Sequence, residues 1–395
     1  MSAPLRGVRI VELCGYTTGP LCARYLSNLG AEVIKVEPLK GESMRDFAYK
    51  FGNVSYIFHV HNINKKSLPI DTGAKEGKAV LFDLLGHADV LIENFAYGSM
   101  KKWGLDYETI RKVNPALIYC SLSGFGQSGP DRHLRAFDTV IQGMAGVMEL
   151  TGVADGPPTK IGISAADNMG SAAGAMAISA ALIHRRRCGR GKHIDISMHD
   201  IQGWLTSQSW ALADRRMGPL RNGNRHHALA PQNLFAATDG LVAIEIETQK
   251  QLDALCDLIG HARVALAASK ANEATLEARL TSWAAGRTSD AAVAGCLAEN
   301  IPAGRVQGID DVVANPHTAD RKLLVDLPYP ECGTVKILGS PFKSTSSPGI
   351  VANAAPALGQ HSREILGELL GYSQDRIDAL AAAKIVGIRG ENSAA

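Results

Sequence analysis

GVRIVELCGYTTGPLCARYLSNLGAEVIKVE, residues 7–37, holds the change of hydrophobic period on which the fold reading turns. GVRIVEL and AEVIKVE are short runs of aliphatic and β-branched residues, which suit buried strands. Between them, CGYTTGP reads as a turn and LCARYLSNLG as a helix closed by Gly30, because glycine accepts the left-handed backbone that ends many helices. Strand, helix and strand in this order make a βαβ unit. The alternation continues outward: SLPID (67–71) as a strand, a helix from Lys75 to Leu85, ADVLIENF (88–95) as a strand, a helix near Asp106 to Val113, and ALIYCSLSG (116–124) as a further strand. A helix from about Met169 to Arg187 ends at the GRG of Gly189 to Gly191, and HIDISMHD (193–200) leads as a strand into a helix over Trp204 to Leu212. An α/β fold with a parallel sheet covered on both faces is the expected product.

The pattern changes near Gly218, where GPLRNGNRHHALAPQ is dense in glycine, proline, asparagine and histidine. Beyond it, LFAATDGLVAIEI predicts a hairpin around Asp239 and Gly240, followed by helices over Lys250–Ile259, Glu273–Ala285 and Ser289–Glu299. DLPYPECGTVKILGSPFK reads as β structure, and two late helices are expected over Ser362–Leu370 and Asp375–Ala383. This divides the chain into a large domain begun by residues 1–200, a linker at 201–225, a smaller α+β domain at 226–318, and a return segment at 319–395.

Composition narrows the function classes. Of 395 residues, 46% are apolar and 20% charged, which suits ordinary globular domains. Lysine and arginine number 41 against 39 acidic residues, and a net charge of +2 gives no reason to expect a nucleic-acid or membrane partner. The seven cysteines are Cys14, Cys22, Cys120, Cys188, Cys256, Cys296 and Cys332. They form no CxxC pair and no zinc spacing, so a reducing compartment and no metal are expected. MSAPLRGVRIVEL lacks the succession of a secretory signal, and no apolar run reaches the roughly 20 residues of a membrane span. A cytoplasmic protein is expected.

GFGQSG, residues 124–129, matches the dinucleotide fingerprint G-x-G-x-x-G and follows a predicted strand. Pro130 and the charged DRHLR run come next, and these read as a loop rather than the opening helix that the fingerprint needs. Glu37 ends the second strand, where it reads equally as a ribose-binding acid or a solvated strand end. Asp167 precedes the long small-residue helix. By position alone it reads as an N-cap, but a carboxylate held ionised at a helix start is also a ready nucleophile toward a thioester carbonyl.

The runs RGVRIVEL, GAEVIKVEP, NKKSLPID, ADVLIENF, NPALIYCSLSGFGQSGP, FDTVIQGMAG, GPPTKIG, CGRGKHIDISM and NRHHALAP resemble, in order, the third family of CoA-transferases, which includes formyl-CoA transferase and carnitine CoA-transferase. The C-terminal GSPFK and LGQHSREILGELLGYS are similar too, so the likeness covers nearly the whole chain. It implies a Rossmann-like large domain with a smaller α+β domain, an interlocked homodimer, and coenzyme A bound as an acyl-CoA substrate. It also implies a covalent aspartyl intermediate on Asp167. By the same likeness Tyr16, Thr17, Ile70, Asn94, Phe95, Lys102, Arg135 and Phe137 match places lining the CoA site, with Lys102 and Arg135 reaching phosphates. Thr17 stands where formyl-CoA transferase has a glutamine that helps hold the reacting carbonyl, and Pro38 where it has a CoA-contacting arginine. The long glycine-rich flap of that enzyme is missing around Gly218 to Ala237, so formyl-CoA and oxalate are not expected substrates.

Two other functions fit the same sheet. A 2-methylacyl-CoA racemase shares the fold and an aspartate at the place of Asp167, but moving a proton across one carbon needs two acid/base groups. Phe137 stands where its histidine partner belongs, with His133 nearby in sequence. A non-catalytic CoA- or dinucleotide-binding protein would use the sheet without covalent chemistry. Arg45, His59, His61, Arg221, Arg225, His226 and His227 fall in predicted loops or strand ends, and their number favours a short dicarboxylic acid as acceptor, with succinyl-CoA as donor.

Overall fold

The computed structural model describes residues 3–51, 54–215, 221–329, 333–345 and 349–390. The expected boundary residue Gly218 and Cys332 lie outside the described residues. The chain divides into two compact units, one made of Met1–Val147, Ile161–Thr206 and His317–Ala395, the other of Met148–Lys160 and Ser207–Pro316.

The first unit is built on six parallel strands: β1 (Arg9–Leu13), β2 (Glu32–Glu37), β3 (Lys65–Pro69), β4 (Val90–Glu93), β5 (Ile118–Ser123) and β6 (His193–Ser197). They lie in the order β3-β2-β1-β4-β5-β6, the doubly wound Rossmann arrangement. Ile10 of β1 sits level with Val33 of β2 and Val90 of β4. Side chains alternate between the two faces, as strand geometry requires. Ile10, Val33 and Ile92 point to one core with Ala23 and Leu26 of helix α1 (Thr18–Asn28). Val11, Leu13, Ile34 and Val36 point to the other, against Leu81, Leu84 and Leu85 of a helix at Lys75–Gly86 and residues Ile365, Ile377 and Val386 of the returning chain. That return is tied to the edge strand, where Ile70 bridges Val386 and the Gly387 amide donates to the Pro69 carbonyl.

Two further helices matter for the site. α2 spans Tyr56–Asn62, and the long helix, α5 here, spans Ala165–Cys188, with α3 (Lys75–Gly86) and α4 (Asp138–Met144) between them in the chain. The small residues of α5 answer a packing need. A side chain at Gly174 would stand 2.9 Å from Leu122 and 3.1 Å from Cys22 of α1, so these elements approach through bare backbone. α5 begins four residues before the expected Met169, for a reason given below. The helix expected over Trp204–Leu212 is instead α6, Met198–Leu205, followed by another at Ser207–Arg215. Ser197 ends β6 and caps α6 by accepting the Asp200 amide, which starts the helix early.

The second unit has an antiparallel sheet of Gln232–Ala236, Leu241–Glu245 and Ala303–Arg305, with helices at Gln249–Leu258, Glu273–Ala285 and Ser289–Ala298. Phe235, Val242, Ile244, Leu252, Leu276 and Leu280 fill its core. The hairpin turns at Asp239 and Gly240 as the sequence predicts. Residues 148–160 belong to this unit because Arg221 donates to the carbonyls of Glu149, Val153 and Gly156. Among the described residues no helix is long and apolar enough to cross a membrane.

Candidate active site

The first amides of α5 need acceptors. Its N-cap, Ser164, offers no side-chain cap. Asp138, in the first turn of α4, supplies the acceptor instead: its Oδ1 takes the Ala166 amide at 2.7 Å and lies 3.4 Å from that of Asp167. The Asp138 Oδ2 accepts from Gln142 Nε2 at 2.7 Å, and Gln142 Oε1 accepts the Ile161 amide. Asp167 is therefore not the N-cap that its position suggested. It lies inside the first turn, where the helix dipole favours its negative charge while its side chain is left free for another partner.

That partner is Thr18, at the start of α1, whose hydroxyl donates to Asp167 Oδ1 at 2.5 Å. Ser171 Oγ lies 2.7 Å from the Thr18 carbonyl and 2.6 Å from the Asp167 carbonyl, tying the two helices together beside the carboxylate. A side chain at Gly170 would meet both Thr18 and Met198 at 3.3 Å, which leaves little room for anything larger. Among the described residues Asp167 Oδ2 accepts no hydrogen bond. Burial holds the Asp167 carboxyl above the ordinary aspartate range; the Thr18 hydrogen bond pulls it down and the Asp138 charge raises it. The result is a half-buried carboxylate with one oxygen fixed and the other open. Thr18 was not singled out by the sequence reading, because only the packing of α1 on α5 shows which threonine of GYTTG reaches Asp167.

The turn between β1 and α1 lies where the strand order reverses, which is where ligands bind in open α/β sheets. Asn94, following β4, accepts the Gly15 amide at 3.1 Å and donates to the Gly15 carbonyl at 2.8 Å. Tyr16 is half exposed, and its ring meets that of Phe137 edge-on at 5.6 Å, so these two expected CoA-site residues stand together. Thr17, the N-cap of α1, is partly buried. Phe95 packs edge-on against Trp103. Lys102 and Arg135 are exposed and make no ion pair among the described residues, whereas Ile70 is buried beside Val386.

The residues expected to meet a carboxylate are placed very differently. Arg45 is not at a site entrance: it is buried, forks onto both oxygens of Glu37 at 2.8 Å, and lies over the Phe58 ring. The same pairing removes Glu37 as a ribose-binding acid. His59 and His61 are buried on α2 rather than in a loop, and burial pushes both imidazoles down to about 4. His59 sits edge-on to Tyr329 at 4.2 Å. In the second unit His226 is exposed and its Nδ1 accepts the Ala228 and Leu229 amides, and Arg225 is paired with Glu277 at 2.7 Å. His133 packs against Tyr97. As its sequence suggested, the GFGQSG loop is followed by a short 3-10 turn at Pro130–His133, and the Gln127 amide is taken by the Asp195 carboxylate, not left for a phosphate. Among the described residues no group of three or more histidine, cysteine or acidic side chains is placed to hold a metal ion.

Residues 5–362 match CoA-transferase family III. Over 382 residues the chain is 34% identical to succinate–glutarate CoA-transferase of Agrobacterium fabrum, a match covering 93% of this chain and 96% of that protein. It is 32% identical to succinyl-CoA–D-citramalate CoA-transferase of Chloroflexus aurantiacus, covering 97% and 98%. A crystal structure of a CAIB/BAIF family protein from Brucella suis aligns with a TM-score of 0.83 and 33% identity, covering 93% of this chain and 100% of that one. The matches span the sheet, the α1 turn and the Asp167 helix alike, and the chain accordingly belongs to CoA-transferase family III and is an enzyme that transfers coenzyme A.

Proposed function

We propose that the chain moves CoA from succinyl-CoA to a short dicarboxylic acid through covalent intermediates on Asp167. The observation that carries this reading is the asymmetric carboxylate: Oδ1 fixed by Thr18 and Oδ2 unpartnered among the described residues, both at a helix start. Oδ2 attacks the donor's acyl carbon, the CoA thiolate leaves, and a mixed anhydride forms. The thiolate then attacks the aspartyl carbonyl, releasing the donor acid and leaving an aspartyl-CoA thioester. The acceptor carboxylate attacks this thioester in turn, and the freed thiolate takes the acceptor's acyl group. Each step exchanges one acyl bond for another, so the thioester's energy is kept provided water is excluded.

CoA is assigned to Tyr16, Thr17, Asn94, Phe95, Lys102, Arg135 and Phe137, and Ile70, buried beside Val386, belongs to the same reading. The dicarboxylate specificity draws support from the named activities of the Agrobacterium and Chloroflexus relatives. A homodimer is part of the same reading: Met169, Met176 and Ile183, seven residues apart on α5, expose 39%, 70% and 59% of their surface, an apolar stripe that a second copy would cover. A reducing, cytoplasmic setting suits the free cysteines, of which Cys14, Cys22, Cys120, Cys256 and Cys296 are buried.

The test is to incubate the protein with succinyl-CoA, trap with hydroxylamine or borohydride, and map the modified peptide. Modification at Asp167, absent from Asp167→Asn, is the expected result. Full turnover by Asp167→Asn would end the proposal. Exchange from succinyl-CoA to a panel of acids should favour short dicarboxylates over bulky aromatic ones.

A further inference from the structure

Tyr16 has a left-handed backbone, φ 61°, which non-glycine residues disfavour and which persists only where surrounding contacts over-determine it. Its amide donates to Glu42 Oε2 at 3.1 Å. Glu42 is a buried group. Its Oε1 lies 2.8 Å from Lys35 Nζ, and Lys35 also binds Glu12 Oε1 and the Cys14 carbonyl, each at 2.9 Å. The second Glu12 oxygen takes Lys65 Nζ at 2.6 Å, and Lys65 reaches the Pro20 carbonyl at 2.8 Å.

Two carboxylates and two ammonium groups thus balance inside the protein, and together they grip the chain at Cys14, Tyr16 and Pro20, before, within and after the turn. Buried ion networks are often no more stabilising than apolar packing of the same volume, so stability alone does not account for this one. Its contacts converge on the turn whose next helical residue, Thr18, orients Asp167. Gly15 is part of the fit, since a side chain there would stand 3.1 Å from Glu42 Oε2.

We propose that Glu42, seated on the Glu12–Lys35–Lys65 network, is a positioning residue that sets the Gly15–Thr18 turn so that the Thr18 hydroxyl meets the Asp167 carboxylate. The inference rests on the reading of Asp167 as nucleophile. Glu42→Ala removes the acceptor of the Tyr16 amide. In protein shown by thermal melting to be folded, kcat should fall about tenfold or more, since a slight misplacement of reacting groups is costly. The acid limb of kcat/KM should also move up by roughly half a pH unit, because Asp167 loses the hydrogen bond that favours its charged form.

Glu42→Gln keeps an acceptor for the amide, and should recover most of the lost kcat and return the limb to its wild-type place, while Tm falls because Lys35 has lost a counter-charge. A purely structural role predicts lower Tm in both variants and no movement of the limb in either, and that result overturns the proposal. If Glu42→Ala does not fold, Gly15→Ala decides, because its methyl group must displace the Glu42 carboxylate or the turn. The same limb shift and loss of kcat are expected, and their absence is equally decisive. Asp167→Asn is measured alongside. An active Asp167→Asn overturns both readings, whereas an inactive one beside a fully active Glu42→Ala removes only the positioning role.

Discussion

Asp138 Oδ1 accepts the Ala166 amide at 2.7 Å, so the helix bearing Asp167 is capped by a carboxylate 28 positions earlier in the chain. This frees Asp167 from the role that its own position invites, and it places a second negative charge close enough to raise the Asp167 carboxyl.

Asp138→Asn and Asp138→Ala should separate the two effects. The asparagine keeps an acceptor for the Ala166 amide but removes the charge and the acceptor of Gln142 Nε2, which retains the Ile163 carbonyl, so the acid limb of kcat/KM moves to lower pH with a smaller loss of Tm than the alanine shows. The alanine also loses the cap, at a cost of about 1 kcal/mol, read as a lower denaturation midpoint. A limb that stays in place for the asparagine variant would show that the Asp138 charge does not reach Asp167.

Thr18→Val preserves shape while removing the donor to Asp167 Oδ1. Hydrogen bonds to charged groups contribute about 1.5–3 kcal/mol, which corresponds to a loss of roughly 10- to 100-fold in kcat/KM. The carboxyl rises further without its donor, so the acid limb shifts upward. Thr18→Ser, which keeps the hydroxyl, should retain most of the activity. Near wild-type rates for the valine variant would show that Thr18 does not serve the reaction.

The parallel sheet was legible in the sequence because each strand carries its own local signal: VRIVEL, EVIKVE and VLIE are buried on both faces and bounded by turn residues. Asp167 was legible as a residue of interest from its place before a small-residue helix and from the family likeness. Its capping partner was not, since nothing local distinguishes Asp138 in RAFD from a surface aspartate. Arg45 was misplaced for the same reason: a loop arginine and a buried one look alike until Glu37 is seen across from it.

The Arg45–Glu37 pair therefore makes a sharp prediction. Arg45→Met strands the Glu37 carboxylate in the interior, and breaking a buried pair in this way costs about 3–5 kcal/mol. Glu37→Gln/Arg45→Met removes the stranded charge, keeps one acceptor oxygen for the Glu42 amide, and turns its NH2 to the Ser67 hydroxyl, which can accept, so it should recover much of that loss. The KM for the acceptor acid should be unchanged in the folded double variant. A raised KM at wild-type stability would return Arg45 to the substrate site.

The buried histidines His59 and His61 lower the stability of the first unit as pH falls. His61 titrates near 4 in the folded protein against an ordinary value of 6.5, chiefly because burial disfavours its charged form and the nearby Lys65 and Arg24 charges add to this. A group harder to protonate when folded contributes stability that is full above the unfolded value and is lost as pH falls toward the folded one, because the unfolded chain takes up the proton first. Between pH 6.5 and 4, His61 alone should lower the unfolding free energy by up to about 1.4 kcal/mol per pH unit. His59 is depressed in the same direction, while Glu12 and Glu37, held below the ordinary 4.5, add their loss only at the acid end of this window. His61→Gln keeps a polar side chain of similar size but does not titrate, so denaturant midpoints measured at pH 7, 6 and 5 should fall less steeply than in the wild type. Parallel slopes for the two proteins would mean that His61 is protonated as readily inside the fold as outside it.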